Sequence, residues 1–209
     1  MSLTWLDKFK AALNRFVTRK TQKEILGKTT SISAKSSATR KAEWVKAAMD
    51  KLDVLVTDKK TRCEILLCCS HRFPKTRIQT LKKQYHRLGN IDALLEYMHQ
   101  DESWGGLSYY EYPKRDGKII YVTKIPYDPK KYETATTEED KQRAYCHCGL
   151  VKATKEPISK TFCYCGSGWY KTLWEGILEK PVKVEVLSTI VSGDTDCTFA
   201  IHLPPDFET

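Results

Sequence analysis

Cys146-His147-Cys148-Gly149 and Cys163-Tyr164-Cys165-Gly166 are two C-x-C-G units, with fourteen residues, 149–162, between Cys148 and Cys163. Thiolates grouped in this way bind zinc or another soft metal. A quartet around one ion requires both thiols of each unit to point at it. On an α-helix, positions i and i+2 lie about 200° apart, so both can ligate only from an extended or looped unit. Gly149 and Gly166 permit such local departures from helix. The bland alternative is that one cysteine of each pair packs as a small apolar side chain. A third role is a reactive thiol. Cys163 and Cys165 stand close to the start of an expected helix, whose N-terminus favours the thiolate.

Cys63, Cys68, Cys69 and His71 form a second group. Cys68 and His71, three apart, can meet on one helix face, while Cys63 falls on a neighbouring face. Beside Ile65-Leu66-Leu67, however, these cysteines read first as buried filler. His86, His99 and His202 have no ligand-type companion nearby and read as structural. The chain has no G-x-S-x-G elbow, no G-x-x-x-x-G-K and no H-E-x-x-H, so the usual serine-nucleophile, phosphate-cradling and zinc-protease patterns are absent.

The elements that must position these groups change character along the chain. Trp5, Phe9, Leu13, Phe16 and Val17 recur at helical spacing. Gly27 ends a second short helix, and residues 29–40 read as a polar loop. Helical patterns follow over Trp44–Leu52 and around Cys63–Cys69, with a boundary imposed by Pro74. Two more stripes follow, Ile78–Leu88 closed by Gly89-Asn90, and Ile91–Met98. From Trp104-Gly105-Gly106 onward the chain predicts strands at Leu107–Tyr112 and Lys118–Ile125, with Asp116-Gly117 as a hairpin turn. Thr137 before Glu138, Glu139 and Asp140 signals a helix start.

After Gly166-Ser167-Gly168, the stripe Trp169, Tyr170, Leu173, Trp174, Ile177 and Leu178 predicts an amphipathic helix. Val182, Val184 and Val186 then alternate as a half-buried strand that breaks at Val186-Leu187, as a bulge would. Ser192-Gly193-Asp194 turns the chain into a last strand with Cys197, Phe199, Ile201 and Leu203 on one face. The reading is α+β: a helical region 1–103, then an α/β ligand-binding-like region 104–209 with a mainly antiparallel sheet, the two integrated as one domain.

The chain carries 41% hydrophobic and 11% aromatic residues with a mean hydropathy of −0.50. That is too apolar for a disordered chain and too polar for a membrane-spanning one. With no secretory signal in residues 1–10, the expected setting is cytoplasmic, where cysteines persist as thiols or metal ligands. The net charge of +9 is unevenly placed. Residues 1–103 hold 21 Lys/Arg against 11 Asp/Glu; the remainder holds 14 against 15. Spread through helical patterns, the excess reads first as a solvated face, and second as a nucleic-acid surface.

From Phe162 to Leu203 the order is Cys163, Gly168-Trp169-Tyr170, the Leu173–Leu178 helix, Lys180-Pro181-Val182, a Val/Glu strand, Ser192-Gly193-Asp194 and Cys197-Thr198-Phe199. This stretch resembles the C-terminal half of 4-vinyl-reductase-like ligand-binding domains, in a prokaryotic branch of that superfamily; earlier residues match in topology only. The resemblance implies a domain that encloses an apolar or aromatic small molecule between helices and sheet. In the family's aromatic sensors it also implies a zinc beside that pocket. Cys163 and Cys197 match the first and last ligand positions. Val186 and Thr189 fall on the middle two. A one-residue bulge restores Glu185 to the glutamate position and leaves Ser188 or Thr189 where the remaining cysteine would be. Cys165, Cys146 or Cys148 would then have to substitute.

The resulting expectation is a small-molecule-binding protein with a cysteine-based zinc site, monomeric or homodimeric and without membrane insertion. Its metal set is Cys163, Cys197, Cys165, Cys146 and Cys148. Its pocket or supporting core comprises Trp169, Leu173, Trp174, Ile177, Tyr109, Tyr121 and Phe199. Trp169 and Trp174, five positions apart, do not share one tight face, so at most one of them lines a cavity. The rival readings are an enzyme, either a reductase of a tetrapyrrole-like substrate or a hydrolase using Cys163 or Cys165, and a basic nucleic-acid-binding regulator.

Overall fold

The computed structural model describes residues 3–27, 32–33, 35–71, 73–101, 112–154 and 156–207. Six helices come first: α1 (Leu3–Phe16), α2 (Arg19–Leu26), α3 (Ala38–Leu55), α4 (Lys59–Leu67), α5 (Lys75–Leu88) and α6 (Ile91–Gln100). Their ends are chemically marked. Ser37 accepts from the Arg40 amide at 3.2 Å and Asn90 from the Ala93 amide at 2.8 Å, satisfying donors that a helix start leaves open. Gly89 closes α5 at φ +75°, a conformation that favours glycine.

A hairpin follows, β1 (Lys114–Asp116) and β2 (Ile119–Thr123), turned by Asp116-Gly117 with Gly117 at φ +53°. The Leu107–Tyr112 strand expectation falls almost wholly outside the described residues, and Tyr112 itself precedes the hairpin. Three short helices, α7 (Pro129–Thr134), α8 (Glu138–Tyr145) and α9 (Gly149–Ala153), lead to a 3-10 turn at Lys160–Cys163. The chain ends with α10 (Tyr164–Leu178), β3 (Lys183–Ser188) and β4 (Thr198–His202).

The four strands form an antiparallel sheet in the order β1-β2-β4-β3. Two cross-strand rows build its inner face: Ile120, Ile201 and Val184, then Val122, Phe199 and Val186. The β3–β4 register shifts between Val186 and Ser188, which is the bulge that the broken alternation predicts, and Leu187 is left exposed. The molecule is α+β, as its sequence pattern requires.

Helix α10 lies between the sheet and the α4–α5 pair, and its start is where the expectation needs correction. It begins at Tyr164, so Gly166, Ser167 and Gly168 are inside the helix. Packing explains why. A Cβ on Gly168 would stand 2.5 Å from the Ser70 Cβ and 2.9 Å from the Leu67 carbonyl oxygen. On Gly166 it would stand 3.2 Å from the Phe199 ring. The absence of side chains lets α4 and the sheet close on this turn, and that contact offsets the helix-propensity cost of glycine.

Two apolar clusters result, each drawing on both halves of the chain. One joins α1–α4 to α8, α9 and the 3-10 turn through Phe9, Leu13, Met49, Leu52 and Phe162. The other joins α5 and α6 to α10 and the sheet through Leu81, Leu94, Trp174, Ile177 and Ile201.

Candidate functional site

Five cysteines from three separated segments gather where these clusters meet. Cys146 caps the end of α8 and Cys148 precedes α9, both with extended backbone (φ −71°, ψ 129° and φ −85°, ψ 114°). The first C-x-C unit therefore meets the condition for two thiols to face one point. The second does not. Cys163 (φ −69°, ψ −16°) and Tyr164 (φ −62°, ψ −22°) are helical, so Cys163 and Cys165 diverge around the axis. Cys197 stands just before β4, where its sulfur accepts the Ile190 amide at 3.4 Å. The Cys146 sulfur likewise accepts the Cys148 amide at 3.4 Å.

The thiols sense one another electrostatically. Burial is the main force holding the Cys163 thiol well above its ordinary range, followed by Cys146, Cys197, Cys165 and Cys148 in that order. Burial, then Cys148, pushes Cys165 up to about 12. Burial, again followed by Cys148, pushes Cys146 up to about 12. Cys197 is raised by burial against the lowering pull of the Ile190 amide and Lys124. A helix start was expected to favour the thiolate at Cys163 or Cys165. Desolvation overrides it, and both are neutral thiols at neutral pH.

The donors have the soft chemistry of a zinc or other thiophilic site, and the N–H···S contacts resemble those that support metal thiolates. Among the described residues, however, no group of three or more His, Cys, Asp or Glu side chains is arranged to hold a metal ion. The divergence of Cys163 from Cys165 accounts for part of this. The Cys63–His71 group dissolves further: Cys68 is exposed, Cys63 is half-buried, and Cys69 is buried with its thiol donating to the Ile65 carbonyl at 3.3 Å.

Beside the thiols opens a cleft of about 790 Å³, with Cys148 and Cys165 on its wall. Trp5 of α1, Phe73, Phe162, Trp169 and Tyr170 supply aromatic surface. Phe73 and Trp169 meet at 4.7 Å between ring centroids, and Trp5 meets Phe162 edge-on at 5.7 Å. The polar groups are His71, Arg77, Lys124, Tyr127 and His147. His147 Nε2 lies 2.8 Å from the Ile125 carbonyl, and burial lowers the pKa of its ring, favouring the neutral imidazole. Tyr127 packs edge-on against His147 and carries the Lys152 ammonium over its ring, 3.4 Å from the centroid.

Of the pocket residues expected from sequence, Trp169 lines this cleft. Leu173, Trp174 and Ile177 lie instead in the solid core, at most 3% exposed, because the next turns of α10 are covered by α5 and the sheet. Phe199 is buried beneath Gly166 and Tyr170 and supports the wall from behind. Tyr121 is half-buried and alternates away from Ile120 and Val122, on the outer side of the sheet. Tyr109 lies outside the described residues. Sequence reasoning missed Trp5, Phe73, Phe162, Lys124 and His147 as cleft residues. Only local signals marked them, such as the Phe73-Pro74 boundary, and none of these points across the chain.

Among the described residues no helix is long and apolar enough to cross a membrane. Residues 134–206, which include all five clustered cysteines, match DUF6144, a family of unknown function. No curated protein matches. Among solved structures, the crystal structure of the phenol-responsive sensory domain of the transcription activator PoxR with phenol aligns at a TM-score of 0.35 and 10% identity, over 83% of this chain and 77% of that one.

Proposed function

We propose that the protein binds an apolar or aromatic small molecule in the cleft between α1, the α4–α5 connection and the first turns of α10. The observation that carries this reading is the cleft itself, about 790 Å³ with six Phe, Trp or Tyr side chains and a few convergent polar groups. Ligand sites have this size and composition, whereas packed interiors leave few voids larger than a water molecule. The resemblance of residues 162–203 to 4-vinyl-reductase-like domains supports the same reading. A neutral aromatic dye such as N-phenylnaphthylamine should brighten on titration into the wild-type protein, and Trp169→Ala should suppress the response. A wild-type protein that leaves the dye dark overturns the proposal.

A zinc ion held by Cys163 and Cys197, completed by Cys165, Cys146 or Cys148, is a second proposal: these thiols lie near enough to influence one another, but no three of the described ones are arranged around an ion, so binding would require them to shift. With four thiolates it would tie the 3-10 turn to the start of β4 and act structurally. Metal analysis of wild type beside Cys163→Ser and Cys197→Ser tests it. Near-stoichiometric zinc lost in both variants supports the assignment; negligible zinc in wild type, or occupancy unchanged in the variants, removes it. The neutral state of Cys163 and Cys165 argues against a hydrolase that depends on either as a thiolate.

A further inference from the structure

The charges on the cleft wall have one sign. Lys124 and Arg77 are there with two histidines, and among the described residues no aspartate or glutamate lines the cleft. Arg77 is already engaged, its Nη1 lying 3.5 Å from Asp101 Oδ2. Lys124 forms no ion pair with any described carboxylate; its ammonium rests 5.5 Å from the centroid of Phe199. The root of that side chain is fixed. The Lys124 amide donates to the Cys197 carbonyl at 3.0 Å, and its own carbonyl accepts the Tyr145 hydroxyl.

Tyr170 stands at the same place. Its ring meets Phe199 at 4.8 Å between centroids, so the Tyr170 ring and the Lys124 ammonium both pack on Phe199, and both residues line the cleft. The residue is 4% exposed, and among the described residues its hydroxyl has no hydrogen-bond partner. Open to the cleft and unused within the described protein, this hydroxyl is free to donate to a ligand there.

We infer that the cleft selects an aromatic anion, an aryl carboxylate in its simplest form, with Lys124 as counter-charge and the Tyr170 hydroxyl as donor to the same group. This rests on the cleft being a ligand site. Burial keeps the Tyr170 phenol protonated, as a donor must be. The Phe73–Trp169 pair and Trp5 would face the apolar ring.

The test compares naphthoate with its neutral isostere naphthamide, read by quenching of tryptophan emission from Trp5 and Trp169. Naphthoate should bind wild type about tenfold more tightly, the worth of one charge-assisted contact. Lys124→Met should abolish that preference while leaving naphthamide affinity unchanged, which also shows that the variant is folded. Tyr170→Phe should reduce the preference by a smaller factor, about threefold. If wild type binds both compounds equally, or if Lys124→Met weakens both alike, the anion assignment fails and the cleft proposal survives. If neither compound nor the neutral dye binds wild type, both fail together.

Discussion

The two halves of α10 are made from similar residues and do opposite things. In its first turns Cys165, Gly166, Trp169 and Tyr170 border open space; one turn later Leu173, Trp174 and Ile177 are sealed. The apolar stripe is continuous, so hydrophobicity does not distinguish them. What differs is the covering. The C-terminal half is roofed by α5, and Gly176 allows close approach, since a Cβ there would stand 2.4 Å from the Ile78 Cγ2. The N-terminal half faces the bend between α4 and α5, where the chain turns at Pro74 and Phe73 meets Trp169 on the cleft wall. A cavity here is the gap left where one helix gives way to the next.

Mutations that treat the halves differently should expose this contrast. Trp174→Ala should have the largest effect on folding, about 3–5 kcal/mol in denaturant unfolding, because it leaves a cavity in a sealed core. Equal destabilisation by Trp169→Ala would erase the distinction between core and cleft. Gly168→Ala should cost about 1–3 kcal/mol despite its better helix propensity, since the added methyl meets Ser70 and the Leu67 carbonyl. A stabilised Gly168→Ala would mean that α4 and α10 are less closely apposed.

The thiols give a pH signature. Cys146 and Cys165 have folded-state pKa values raised from 9.0 to about 12. Their stabilising effect is complete below pH 9 and is lost as pH climbs toward 12, because unfolding releases protons in that window. Unfolding under reducing conditions should show stability falling by about 1.4 kcal/mol per pH unit for each such thiol. Cys165→Ala should flatten the slope by about one such increment. An unchanged slope would place Cys165 in water. Trp169→Ala should be the mildest for folding, about 1 kcal/mol or less, while losing dye binding.

The helices, the hairpin and the β3 bulge were legible because each depends on neighbours within a few residues. Thr137 accepts the Asp140 amide at 3.1 Å, and Ser37 and Asn90 act likewise. The start of α10 was not legible, because Gly166-Ser167-Gly168 is a breaker by propensity and is helical only through contacts with Ser70, Leu67 and Phe199. The extended-or-looped condition on paired thiols could be stated from sequence, but not which unit meets it. The cleft was least legible of all: its wall is assembled from α1, the α4–α5 bend, the end of β2, the α8–α9 junction and α10. No stretch of chain carries more than a fraction of its pattern.

Tyr145 donates to the Lys124 carbonyl and accepts the Cys197 amide at 3.1 Å, fastening the outgoing end of one central strand to the incoming end of the other. If the proposed anion binds at the lysine, any strain it puts on this backbone would reach the cysteine through that one phenol, coupling the aromatic chamber to the sulfur cluster.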